Sequence, residues 1–113
     1  MAPSRIESYE KFWPFYLQQH SKHDTRLWHI VGTGAASVLL VAAVISFSYE
    51  LFLAAIVVGY GPAWASHVMI EKNQPATFRY PLWSLISDFR MAATWLAGGL
   101  DREVKRVQIN SIR

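Results

Sequence analysis

A chain of 113 residues with a net charge of +3 makes a single domain. Apolar residues are 52% and aromatics 14%, and the lack of cysteine excludes a disulfide framework, a thiolate metal site and a thiol nucleophile. The positive charge does not point to nucleic acid, because the basic residues flank apolar segments in the manner of the positive-inside bias.

Residues 1–8 carry no strong pattern and read as frayed. They are not a signal peptide: Glu7, Glu10 and Lys11 come early and the apolar run starts only near residue 27. From Tyr9, apolar residues recur at Phe12, Trp13, Tyr16 and Leu17, which is helical spacing, and His20 extends that row. Pro14 suits a first turn best, so the spacing predicts an amphipathic helix within 9–20 that begins near Trp13. Its aromatic face reads as a membrane-interface anchor. Residues 21–26 read as a polar link.

Residues 27–70 contain one formally charged residue, Glu50, and none of the eleven Lys and Arg residues. Each arm, 27–47 and 51–70, is about 20 residues long, enough to cross a hydrocarbon core as a helix. Two segments cannot close a barrel, so the expectation is a transmembrane helical hairpin hinged at Ser48-Tyr49-Glu50. Ala55, Gly59 and Ala63 form an i, i+4 row of small residues that lets the arms approach closely, and the row continues to His67 and Glu71. Pro62 is expected to kink the second arm before His67.

After the polar exit Glu71-Lys72-Asn73-Gln74-Pro75, residues 82–98 show helical apolar spacing, with Pro81 in the first turn and Gly98-Gly99 as the stop. Asp88 and Arg90 make a full crossing costly, so this segment reads as a second amphipathic helix in the interface. Residues 101–113 read as a short basic tail. The fold expected over 1–113 is a single all-α, integral membrane helical bundle. Basic flanks place both termini in the cytoplasm, with a bacterial inner membrane favoured over the endoplasmic reticulum.

All four histidines lie near the open end of the hairpin. His29 is about 20 residues before the hinge and His67 about 17 after it, so their depths differ by about 4–5 Å. A reverse turn over the polar link can bring His20 over His29, and His23 sits in that link. Ionisable side chains in membrane segments are functional candidates. Three imidazoles on one side of a metal leave positions open, which suits iron(II) with oxygen or zinc with an activated water. Glu71 is then a candidate carboxylate ligand, general base or supporting partner. Against this stands a plainer reading, in which the histidines are interfacial hydrogen-bonding residues and Asp88 and Arg90 a structural ion pair.

Three blocks of the sequence carry a resemblance. They are His20 and His29-Ile-Val-Gly-Thr at a fixed spacing, Gly61-Pro-Ala-Trp-Ala-Ser-His67-Val-Met-Ile-Glu71-Lys72-Asn-Gln-Pro75-Ala76-Thr, and Pro81-Leu-Trp-Ser-Leu-Ile-Ser-Asp88-Phe-Arg90-Met. Over roughly residues 12–99 the chain resembles the small membrane family of iron(II)-dependent 2-hydroxy fatty acid dioxygenases of fatty-acid α-oxidation. The resemblance implies Fe(2+) held by His20, His29 and His67. It implies conversion of a 2-hydroxy fatty acid to the acid one carbon shorter, using O₂ and no oxoacid co-substrate. Family members often carry proline where this chain has His23, which leaves His23 an extra ligand or a polar replacement. Lys72, Arg79, Arg26 and Arg90 are candidates to bind the substrate carboxylate. The expected partners are O₂, the 2-hydroxy acid and membrane lipid, with a homo-oligomer compatible and no nucleic acid. The rival functions are a b-type haem electron carrier on His29 and His67, a zinc hydrolase, and a non-catalytic membrane scaffold.

Overall fold

The computed structural model describes residues 5–112, and every regular element among them is helical. Helix α1 spans Tyr9–Gln18, α2 His23–Ser46, α3 Tyr49–Ser66, α4 Pro81–Leu96 and α5 Leu100–Ile112. A π-helical turn, His67–Glu71, continues α3, and a 3₁₀ turn, Ala76–Phe78, precedes α4.

Helix α1 starts at Tyr9 rather than near Trp13, so Pro14 lies inside it. Ser8 caps it, its hydroxyl accepting from the Lys11 amide. Proline there removes one backbone bond, and the burial of Phe12, Trp13, Tyr16 and Leu17 outweighs that loss. The aromatic face does not meet a membrane interface, as the sequence suggested. It is the centre of the protein core, with Phe12 fully buried and its ring 5.2 Å from that of Tyr80. The expectation for residues 1–8 falls partly on residues 1–4, outside the described ones. Residue 6 is anchored, its amide donating to the Tyr80 hydroxyl at 2.8 Å.

The hairpin is the longest feature. Helix α2 begins at His23, so the polar link shortens to residues 19–22. It ends at Phe47 in the left-handed region (φ 51°), and Ser48 caps α3 by accepting from the Leu51 amide. The turn is therefore the pair Phe47-Ser48, and Tyr49 and Glu50 already belong to α3. Both helices are long and apolar enough to cross a membrane. Only 28% and 22% of their most apolar windows are buried, which is the reverse of a soluble core helix. Val38, Val41, Val44 and Val57 all point away from the protein.

Small residues set the distance between the two arms. A Cβ added at Gly59 would stand 3.2 Å from the Ala36 Cβ, and one at Gly32 would stand 3.1 Å from the Val58 carbonyl oxygen. That carbonyl is the one whose i+4 donor Pro62 removes, so the bond lost to proline is at a carbonyl that Gly32 of α2 approaches closely.

Helix α4 reverses the polarity expected of an amphipathic helix on a soluble core. Ser84, Ser87 and Met91 face inward, while Leu82, Leu85, Ile86, Phe89 and Leu96 stay exposed. The helix ends where the sequence indicated, at a turn containing Gly98 with φ +83°, a conformation that favours glycine. Residues 101–113 differ from the expected tail. Through 112 they continue α5, whose Leu100, Val104 and Val107 are buried in the same core as α1.

Candidate metal centre

Three helix ends deliver three imidazoles to one point. His20 follows the last turn of α1, His29 lies in the second turn of α2, and His67 opens the π-turn after α3. All three are buried, with one ring nitrogen of each within 4.8 Å of the others. The ring centroids of His20 lie 4.8 Å from His29 and 4.4 Å from His67.

Each ring is held from behind. His20 Nδ1 lies 2.7 Å from the Tyr16 carbonyl oxygen, which can only accept, so the proton sits on Nδ1 and Nε2 keeps a lone pair. His67 Nδ1 lies 2.7 Å from Asn73 Oδ1. The Asn73 amide nitrogen donates to the Gln19 carbonyl and side-chain oxygens, which fixes its flip, so His67 Nδ1 donates and Nε2 keeps its lone pair. The two Nε2 atoms face each other at 3.0 Å. Two lone pairs at that distance repel unless a cation or proton lies beside them. Two imidazole nitrogens bonded to one metal at about 2.1 Å and at right angles stand about 3.0 Å apart. The π-turn matters here because it carries Asn73 back to His67, the Asn73 amide donating to the His67 carbonyl at 2.9 Å.

His29 is held by Asp88, whose Oδ1 lies 3.3 Å from Nε2. His29 Nδ1 is buried and makes no hydrogen bond of ordinary geometry. The one other buried polar side-chain atom without a partner among the described residues is Ser84 Oγ. Both residues line one small cavity of about 10 Å³ between the three rings, room for a single small ion or water. A porphyrin does not fit there. The three buried imidazoles and the two facing Nε2 atoms therefore fit a metal ion.

Asp88 also accepts from the Tyr16 hydroxyl at 2.6 Å, and the Tyr16 ring stacks on His20 with centroids 4.2 Å apart. Burial pushes the Asp88 carboxyl up to about 7, and the Tyr16 bond works against that shift. Burial, then the Asp88 charge, raises the Tyr16 phenol, which keeps it a donor. Burial, with His29 and His67 beside it, holds His20 well below the ordinary imidazole range, which favours the neutral form in which an imidazole can bind a metal.

The other candidates lie elsewhere. His23 is exposed, with Nδ1 3.6 Å from Asp24 Oδ1, and is not part of the cluster. The Glu71 carboxylate accepts from the Ser21 amide and hydroxyl, the Lys22 amide at 3.2 Å and the Thr25 hydroxyl at 2.7 Å. It ties down the link that carries His20 and the start of α2. Arg26 donates to the backbone carbonyls of His20 and Ser21, at 2.7 and 2.8 Å. Arg90 lies over the Trp13 ring at 4.1 Å and Arg79 over the Tyr80 ring at 5.6 Å. Lys72 is exposed, at φ 64°. Sequence reasoning gave no site role to Tyr16, Asn73 or Asp88. The polar stripe Ser84, Ser87, Asp88 on an apolar helix was a signal for the last of these.

The family model for Mpo1-like proteins, described as 2-hydroxy-palmitic acid dioxygenase Mpo1-like, matches residues 6–100. No curated protein and no solved structure matches the chain. The matched region contains all three imidazoles and the Tyr16, Asn73 and Asp88 groups that hold them, and the chain belongs to the Mpo1-like family.

Proposed function

We propose that this protein is a membrane-embedded, iron(II)-dependent dioxygenase that shortens a 2-hydroxy fatty acid by one carbon. The observation that carries the reading is the buried triad His20, His29 and His67, with one ring nitrogen of each within 4.8 Å of the others, in a chain of this family. Three neutral imidazoles on one side leave room for a chelating substrate and O₂, the pattern that suits non-haem iron(II). The overall change balances as 2-hydroxy acid plus O₂ giving the shorter acid, CO₂ and water. The C1–C2 bond breaks, C2 passes from alcohol to carboxylic acid, and O₂ takes up four electrons.

When bound, iron(II) would supply the redox chemistry with O₂. The chain's own residues do the rest. His20, His29 and His67 hold the ion, while Tyr16, Asn73 and Asp88 fix their tautomers. Asp88 is also the buried carboxyl nearest the reacting centre that can take or return a proton. Glu71 holds the 19–22 link in place. Of Arg26, Lys72, Arg79 and Arg90, Arg26, bonded to the His20 backbone, is the one beside the triad and the candidate to meet the substrate carboxylate. With the hairpin in a bilayer, the site lies at the membrane surface, beside a source of acyl chains.

The test is metal analysis of protein purified anaerobically in detergent, followed by turnover of 2-hydroxyhexadecanoic acid. Stoichiometric iron and O₂-dependent formation of pentadecanoic acid are expected. Zinc in place of iron with ester hydrolysis, a Soret band, or full activity in metal-free protein would overturn the reading.

A further inference from the structure

A second cavity, of about 330 Å³, opens between α2, α3 and α4. It meets the small cavity of the triad at Tyr60 and Asp88, which line both. From there it runs along the hairpin toward the Phe47-Ser48 turn. On α2 its wall is Thr33, Ser37 and Leu40, and on α3 it is Tyr60, Ile56 and Phe52. Leu85 and Phe89 of α4 close the third side. Polar groups cluster at the end beside the triad, and Leu40 and Phe52 form the far end. The Ser37 hydroxyl is already spent on the Thr33 carbonyl at 2.7 Å, so the middle of the groove makes no polar demand.

We infer that this groove is the acyl-chain subsite, and that the chain threads from the triad down toward the hairpin turn with Leu40 and Phe52 as its floor. The inference rests on the proposed 2-hydroxy acid substrate. It adds the direction of threading and an approximate depth. From His29 to Leu40 is about 16 Å at 1.5 Å per residue. An extended chain advances about 1.25 Å per carbon, from a C–C bond near 1.52 Å, so the groove takes about 13 carbons. An acid with C1 and C2 at the metal then ends near C15, within a carbon of the palmitic length in the family's description. A groove open along one side to lipid could hold a lipid tail instead, but the polar end beside the triad fits an acid headgroup and not a second tail.

Two measurements test this. Ser37→Phe, about 12 Å past His29, blocks the lower groove. The ratio of 16-carbon to 10-carbon 2-hydroxy acid turnover is expected to fall about tenfold or more, one 1.4 kcal/mol step. Val41→Phe, on the outward face one residue past the floor, leaves that ratio as in the unaltered protein. The second measurement needs no turnover. The full chain in detergent is irradiated with 2-hydroxyhexadecanoic acid carrying a diazirine at C15, or at C4, and the adducts are mapped. The C15 probe is expected on Leu40, Phe52 and Ile56, the C4 probe near Thr33 and Tyr60, both displaced by unlabelled acid and not by excess phospholipid. Adducts on outward residues such as Val44 and Val57, a reversed order of the probes, or displacement by phospholipid alone overturns the groove. Groove labelling without any shortened acid overturns the dioxygenase reading and leaves the groove standing. Shortened acid with misplaced adducts and an unchanged ratio does the opposite.

Discussion

Each imidazole at the triad has a different backing group, and the backing decides what its loss does. On the proposed function, replacing His20, His29 or His67 with Ala is expected to remove a bond to the ion, so that metal content and turnover fall together and by more than the about 10–100-fold typical of a supporting partner. His23→Ala leaves both nearly unchanged, because that ring is in solvent beside Asp24. Asp88→Asn removes the charge that orients His29 and accepts from Tyr16. Metal affinity is expected to drop about 10–100-fold with the fold intact, as read by titration of the apo-protein with iron under anaerobic conditions. Glu71→Gln separates two roles. Its carboxylate accepts from four donors that one amide oxygen cannot all serve, so stability falls by about 1–3 kcal/mol while metal stays bound. Loss of metal in Glu71→Gln together with retention in His20→Ala would replace the three-histidine set by two histidines and a carboxylate. Spacing along the helices put His29 and His67 at similar depths, and a reverse turn over the link was needed to bring His20 to them. It could not single out Asn73 or Asp88, because their contacts cross 54 and 72 residues of chain and depend on a π-turn and a helix face that periodicity does not encode.

The triad is assembled by elements whose separation depends on residues with almost no side chain. Gly59→Leu drives several carbons into the Ala36 Cβ, which already limits a single added Cβ to 3.2 Å. The Ala36 Cβ can move only with its helix, so a destabilisation of about 1–3 kcal/mol or more is expected, with a parallel loss of metal affinity as His29 and His67 move apart. Wild-type stability and affinity in Gly59→Leu would mean the two arms do not touch at that row. The Ala55-Gly59-Ala63 row was legible because small residues four apart have one efficient use between apolar helices. Helix α5 was not. Its charges suggested a tail, yet Leu100, Val104 and Val107 recur at i, i+4 and i+7 and find a surface only because α1 turns its aromatic face toward them. The same unseen partner explains the misreading of α1. A row of Phe12, Trp13 and Tyr16 looks alike whether it meets a membrane interface or a second helix.

At the scale of the whole molecule the hairpin and the rest differ in where their apolar surface goes. Residues from α1, the start of α2, α4 and α5 bury theirs in one core around Phe12, Tyr16 and Met91. Beyond that core the hairpin turns Val38, Val41, Val44, Val57 and the nearby face of α4 outward. The outward surface is apolar over two helices that carry one charge between residues 27 and 70, at Glu50, next to the turn. Water does not stabilise such a surface, whereas a hydrocarbon core does, and the two-residue turn Phe47-Ser48 forces α2 and α3 to cross it in opposite directions. Everything before α2 and everything after α3 must then lie on one side. Ten of the eleven Lys and Arg residues are in those two portions and the eleventh, Arg26, is in the first turn of α2, so the cytoplasm is the side expected for both. Single cysteines at Arg5 and Lys105 report it directly, since the native chain has no cysteine to confuse the readout. In sealed, right-side-out vesicles neither position reacts with a membrane-impermeant maleimide, and both react after permeabilisation. A cysteine at Glu50 reacts without permeabilisation. Labelling of Arg5→Cys and Lys105→Cys from opposite sides would mean a single crossing. His29 and His67 would then sit at opposite faces of the bilayer, and no metal could join them.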